Sequence, residues 1–267
     1  MKIFDMHTHC YPEKIAEAAA VNLGEFYNFT VYHGGTAENL VAASKESGVS
    51  GVNLLSAATS PSQVVKINDF LLATRDKYSS HDFTITCFAS MHPDYEDKAG
   101  EISRMLSLGA KGVKIHPDIQ RVDIEDPRLL PIYEQLAASK SAVYFHAGDS
   151  RFTYSLPTKI AKVKRDFPQL EVIAAHLGGY QRWDMFDEAY KNRDIWIDTS
   201  SALWAMSPDL AKELISKYDS ERIFFGTDYP VRTAAEEINY INELNLPAQL
   251  LERIYWKNAE AFLVNKK

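Results

Sequence analysis

Two histidines stand one residue apart in FDMHTHC, at the end of an apolar run that begins the chain. If that run is a β-strand, residues two apart point the same way, so His7 and His9 project together. Packed in a core, two neutral imidazoles would each leave a ring nitrogen to satisfy. As nitrogen donors they make half of a site for zinc or a similar divalent ion. An HxH pair alone is weak evidence, because loops carry it often.

Three further residues raise its weight. His146 closes SAVYFHA, His176 closes LEVIAAH and Asp228 closes RIFFGTD. Each is the polar residue that ends an apolar run, which is where a parallel α/β barrel keeps its reactive groups. A strand end can carry such a residue merely as a cap, but three of them in register with the HxH pair argue for a shared metal site. Lys114 and His116 share one face of GVKIH, opposite Val113 and Ile115. Arg151, in HAGDSRF, is either a bidentate fork for a substrate carboxylate or a solvated loop arginine. Asp5 shares the face of His7 and His9, as an acceptor that fixes an imidazole or as a buried, hydrogen-bonded carboxylate. His33, His81 and His92 read as turn or loop residues. Trp204 and Tyr229 follow the last two strands and either line a pocket or pack.

Eight strands must position these groups: 2–7, 50–56, 82–89, 110–116, 141–147, 170–176, 194–200 and 222–228. Helical patterns separate them. Ser60-Pro61, Asp126-Pro127 and Ser207-Pro208 each pair a capping residue with proline at the first helical position. Thr36 caps a helix through Lys45, and Gly48 sits just past its end. Strand and helix alternating in this way read as repeated βαβ units. An open doubly wound sheet would carry a glycine-rich phosphate loop after its first strand, and this chain carries His-Thr-His there. The expectation is therefore a single-domain α/β protein over residues 1–267, a (β/α)8 TIM-like barrel. Its first βα loop is expanded, running from Cys10 to about Gly48 over the barrel mouth.

Composition narrows the function classes. The 267 residues are 46% apolar and 24% charged, with a formal net charge of -7. Together with a pI near 5.6 this argues against a nucleic-acid or anionic-membrane surface. No apolar run reaches the roughly 18 residues of a membrane span. MKIFDMHTHC lacks the apolar core of a signal peptide. Two cysteines, Cys10 and Cys87, are too few for a disulfide framework or a cysteine zinc site. The expected compartment is the cytoplasm, and the expected partner a small molecule. Aromatic residues near the loops permit a homodimer.

The chain resembles the amidohydrolase superfamily, and within it the amidohydrolase-2 branch. DMHTH, GVKIHP, FHAG, AHLGG and GTDYP carry the resemblance, in the family's order along essentially the whole length. It implies a TIM-like barrel with a divalent metal, usually zinc. By position His7, His9, His146 and Asp228 match the ligands, and His176 matches the histidine that assists catalysis. It also implies one ion, or two if Lys114 is the carboxylated lysine that bridges metals in binuclear relatives. Otherwise Lys114 and His116 face the substrate.

Such an ion lowers the pKa of a bound water to roughly 7, and Asp228 beside it would accept the proton. The expected activity is hydrolysis of a C–N or C–O bond in a small carboxylated or cyclic substrate. The alternative is non-oxidative decarboxylation of an aromatic or dienoic acid, for which Arg151 is the local carboxylate clamp. A barrel kept only for binding would lack a ligand or the AHLGG histidine, and this chain lacks neither.

Overall fold

The computed structural model describes residues 1–191 and 194–264. The apolar runs form parallel strands: β1 (Phe4–Thr8), β2 (Gly51–Leu54), β3 (Thr84–Cys87), β4 (Ala89–Ser90), β5 (Gly112–Ile115), β6 (Ala142–Phe145), β7 (Glu171–Ala174), β8 (Trp196–Asp198) and β9 (Ile223–Phe224). β1 to β3 pair in order, as do β4 to β9. β3 and β4 are one strand interrupted at Phe88, whose N–H still reaches Leu54 O at 3.1 Å. The ring closes between β1 and the chain beyond β9. Met6 N donates to Phe225 O (2.9 Å), Asp228 N to His7 O (2.8 Å) and His9 N to Tyr229 O (2.8 Å). Eight strand positions thus form a closed parallel barrel.

Helices α1 (Glu13–Tyr27) and α2 (Ala37–Glu46) fill the excursion after β1. They are followed by α3 (Val64–Tyr78), α4 (Lys98–Ser107), α5 (Pro117–Gln120), α6 (Leu130–Ala138), α7 (Pro157–Asp166), α8 (Phe186–Tyr190), α9 (Pro208–Lys217), α10 (Ala234–Glu243), α11 (Ala248–Glu252) and α12 (Asn258–Val264). Most start signals act as read. Thr36 Oγ1 accepts from Asn39 N, Asp126 Oδ1 from Arg128 N and Ser207 Oγ from Leu210 N. Ser60 makes no cap hydrogen bond, because its hydroxyl pairs with Ser62 and only a 3-10 turn follows. No helix among the described residues is long and apolar enough to cross a membrane.

Alternation along the strands sorts the side chains. On β5, Val113 and Ile115 join the large apolar cluster shared with the helices, whereas Lys114 turns the other way. Register places Ser90, Lys114, Tyr144 and Ile173 side by side across β4 to β7. Phe4, Met6, Phe88, Tyr144, Ile173 and Phe224 form a second cluster with Phe262 of α12. Burying each such side chain is worth about 1.5–3 kcal/mol, and this packing holds the strand ends in place.

The strands stop earlier than their apolar runs. His116 and His146 come one residue after Ile115 and Phe145, and His176 two after Ala174; Asp228 comes four after Phe224. His176 (φ 62°) and Asp228 (φ 61°) adopt left-handed backbone. Such conformations cost about 1–3 kcal/mol each in a non-glycine residue and gather at functional sites.

Candidate metal centre and its pocket

Three atoms converge at the C-terminal mouth of the barrel. His7 Nε2 lies 3.2 Å from His9 Nε2, and Asp228 Oδ1 is 3.1 Å from His9 Nε2 and 3.3 Å from His7 Nε2. Ligands bound about 2.0–2.1 Å from one ion stand roughly 3.0–3.4 Å apart. The triangle has that size. Beside it, His146 Nδ1 and His176 Nε2 face each other at 3.0 Å, and the His176 ring stacks on that of His7 at 5.1 Å.

The other nitrogen of each ring assigns its tautomer. His9 Nδ1–H donates to Leu55 O (2.9 Å), His146 Nε2–H to Gly148 O (2.9 Å) and His176 Nδ1–H to Ser200 O (2.9 Å). His7 Nδ1–H donates to Asp198 Oδ2 at 3.0 Å. Every nitrogen that faces the centre therefore presents a lone pair. Lone pairs aimed at one another repel unless a cation sits among them, so the donor set fits a metal.

Charge agrees with this. Burial, with the nearby Lys114 charge, lowers the His7 pKa to about 3, and burial holds His146 and His176 below their ordinary value. Burial alone would raise Asp228, but His7, His9 and His176 outweigh it and hold the carboxyl well below the usual range. Neutral imidazoles at His7, His146 and His176 beside an ionised Asp228 are the protonation state a metal requires.

Asp198 on β8 is the residue the sequence reading missed. It accepts from His7, from the Tyr144 and Ser200 hydroxyls, and from His176 N (3.1 Å) and Ser200 N (2.9 Å). Burial pushes its carboxyl up, yet these partners hold it net below the usual range. It fixes the His7 ring. Asp5 does not: its oxygens accept from His7 N, Thr227 N and Thr227 Oγ1, and burial raises its pKa to about 7. Of its two readings, the buried, hydrogen-bonded carboxylate is the one observed. Gly226 admits these groups, since a Cβ there would stand 2.9 Å from His7 Cβ.

A cavity of about 330 Å³ lies over the cluster, lined by His7, His9, His146, His176 and Asp228, by Lys114 and His116, and by an aromatic roof. Lys114 is buried, with Nζ 4.8 Å from the Tyr144 ring centroid. Burial lowers its pKa to about 8. His116 stacks on His146 at 4.0 Å and belongs with Asp118 and His146 to a further group of candidate ligands. The roof comes from the first βα excursion. Phe26, Tyr27 and Phe29 line the cavity, and Tyr27 OH lies 3.0 Å from His116 Nε2. No local signal in the sequence announces these roof contacts, which depend on where α1 docks.

Arg151 departs from its carboxylate-clamp expectation. Its fork is closed on Asp149 through Nε (2.9 Å) and NH2 (2.7 Å), it donates to Phe26 O, and its guanidinium stacks on Phe26 and Tyr27. It braces the roof from outside and does not line the cavity. Trp204 lines the pocket, whereas Tyr229 is buried in the apolar core outside the lining and donates its hydroxyl to Gly34 O. His92 accepts from Asp94 N within its turn, His33 meets Glu236 and His81 is exposed, as loop residues do.

A closed parallel barrel with a metal-ready His/Asp cluster at its C-terminal mouth is the architecture of a barrel enzyme. The amidohydrolase family model matches residues 4–264, and the chain belongs to that family. It is an enzyme of the amidohydrolase superfamily. No curated protein matches the chain. Among solved structures it is similar to an uncharacterised TIM-barrel protein of Bordetella bronchiseptica (TM-score 0.81, 18% identity, 100% of this chain and 99% of that one). It is also similar to 5-carboxyvanillate decarboxylase of Sphingomonas paucimobilis (TM-score 0.70, 14% identity, 98% and 99% covered). A dihydroxybenzoic acid decarboxylase of Polaromonas, solved with bound manganese, aligns at TM-score 0.70 and 16% identity over 100% and 98%. At these identities the likeness concerns the fold.

Proposed function

We propose that the protein is a metal-dependent, non-oxidative decarboxylase of a small aromatic acid. The observation that carries this reading is Lys114, a buried ammonium group that faces the same aromatic-roofed cavity as the His/Asp cluster. A cation enclosed with apolar walls favours an anionic, largely apolar ligand. Two solved structures of the same fold are decarboxylases of such acids, which supports the choice.

His7 Nε2, His9 Nε2 and Asp228 Oδ1 would hold one divalent ion, with His146 as the further ligand. Bound there, the ion would supply positive charge toward substrate oxygens, and its nitrogen-rich donors suit zinc, although a relative of this fold carries manganese. Lys114 draws the acid in, and His116 presents Nε2 to the same side of the cavity. Phe26, Tyr27 and Trp204 pack the ring and exclude water. His176, with its N–H spent on Ser200 O, offers an acceptor and takes a hydrogen bond from a hydroxyl next to the carboxyl. The carbon–carbon bond then breaks, carbon dioxide leaves and a proton takes its place on the ring.

Hydrolysis of a C–O or C–N bond, the first expectation from sequence, stands second. Asp228 favours it, because an ionised carboxylate with Oδ1 at the cluster is the base that a water nucleophile needs. The test is to supply zinc or manganese and assay 2,6-dihydroxybenzoate, 5-carboxyvanillate and a panel of carboxylated lactones and amides. Release of carbon dioxide from the aromatic acids is expected. Opening of a lactone or amide with no carbon dioxide from any acid would reverse the order.

A further inference from the structure

Tyr27 is where the aromatic roof touches the histidines beneath it. It is the last residue of α1 and lines the cavity. Its hydroxyl lies 3.0 Å from His116 Nε2 and 3.4 Å from His146 Nε2. Three rings hold it there: Phe26 edge-on at 4.8 Å, Phe29 stacked at 5.7 Å and Tyr180 edge-on at 5.9 Å.

The far side of each imidazole sets the direction of these hydrogen bonds. His116 Nδ1 accepts from Ile119 N (3.4 Å), so the ring proton sits on Nε2. His146 Nε2–H donates to Gly148 O and leaves Nδ1 to face His176. Both nitrogens beside the Tyr27 hydroxyl are therefore N–H groups, and the phenol oxygen is their acceptor. Among the described residues those two nitrogens are its hydrogen-bond neighbours, so the Tyr27 O–H proton is spent on neither. An oxygen that accepts N–H groups is polarised into a better donor. Enclosed among aromatic rings, that donor needs an acceptor, and the cavity is where a ligand brings one.

We infer that Tyr27 is a substrate-binding residue, whose hydroxyl donates to a carboxylate oxygen of the aromatic acid from the roof side of the cavity. This rests on the decarboxylase reading. A carboxylate suits the place because its two oxygens offer about four lone-pair sites, enough to meet the roof and the floor of one cavity at once. An ionised acceptor also makes the stronger hydrogen bond. The bond holds the acid, and it is lost when the carboxyl group leaves as uncharged carbon dioxide. Residues of α1, outside the barrel strands, thus complete the carboxylate site.

Binding to the zinc-loaded protein tests it. The probes are 2,6-dihydroxybenzoate and resorcinol, the same ring without its carboxyl group, with metal content measured on every sample. Tyr27→Phe keeps the ring in the roof and removes only the hydroxyl. It should retain its metal, weaken 2,6-dihydroxybenzoate about 10- to 100-fold, as loss of a hydrogen bond to a charged group does, and leave resorcinol within about twofold. The defect in carbon dioxide release should fall on KM rather than on kcat. Unchanged binding of the acid would overturn the inference. So would equal weakening of acid and resorcinol, which would mean that the hydroxyl only holds His116 and His146 in place. A wild-type protein that binds metal but releases no carbon dioxide from any aromatic acid would instead sink the decarboxylase reading itself, while the binding comparison would still read Tyr27 separately.

Discussion

His146 Nδ1 and His176 Nε2 face each other at 3.0 Å, each with its other nitrogen donating to a backbone carbonyl. Two lone pairs held that close need a positive charge between or beside them. The proposal assigns His146 to the metal and leaves His176 to the substrate, and the two roles separate experimentally. His176→Ala should retain about one metal equivalent and lose roughly 10²- to 10⁴-fold in kcat. Elemental analysis beside steady-state kinetics checks this, and loss of an ion from a two-ion protein would instead give His146 and His176 a metal of their own.

Asp198 holds the His7 ring by accepting its Nδ1–H, which leaves Nε2 free to coordinate. Asp198→Asn puts an amide in that place, whose N–H would favour the opposite tautomer. Metal affinity should fall about 10- to 100-fold with the proposed ligands untouched. Competition with a chromogenic chelator measures it; unchanged affinity would show that the ring is oriented by Ser200 instead.

Lys114 is buried with its pKa lowered from 10.5 to about 8. The unfolded chain therefore binds more protons than the folded one between those two values, and stability rises with pH across that window. Below about 8 the buried ammonium costs on the order of 3 kcal/mol. Lys114→Met should stabilise the chelator-treated protein by up to that amount at pH 7 and remove the rise between pH 8 and 10.5. Urea denaturation at stepped pH reads both, and parallel curves for the two proteins would contradict the placement.

Arg151 is tied to Asp149 and to Phe26 O of the roof, outside the lining of the cavity. Arg151→Ala should raise KM equally for an acid and for its neutral amide, and should expose α1 to limited proteolysis. A selective loss for the acid would restore the carboxylate-clamp role.

Much of this site was readable before any coordinates because a parallel barrel imposes strong rules. Alternation sent Lys114 and His116 to one side, and strand ends delivered His7, His9, His146, His176 and Asp228 to one mouth. Asp198 escaped notice although DIWIDTS shows it on the face opposite Ile195 and Ile197, since an Asp near Thr and Ser reads equally well as a turn. Arg151 stays open between a carboxylate fork and a loop arginine for the same local reason. Asp149, two residues earlier, was in plain sight, but only the fold shows the fork closed on it. Tyr27 and Phe26 were beyond reach, because their role depends on α1 docking across the mouth, a long-range contact with no periodic signature.

The central claim is that His7, His9 and Asp228 hold one catalytic divalent ion, and metal content of the purified protein tests it most directly. Wild-type protein, loaded and then desalted, should carry about one zinc or manganese per chain and release carbon dioxide from an aromatic acid, while His9→Ala should carry neither metal nor activity. A His9→Ala protein that keeps its full metal content and turnover would contradict the account.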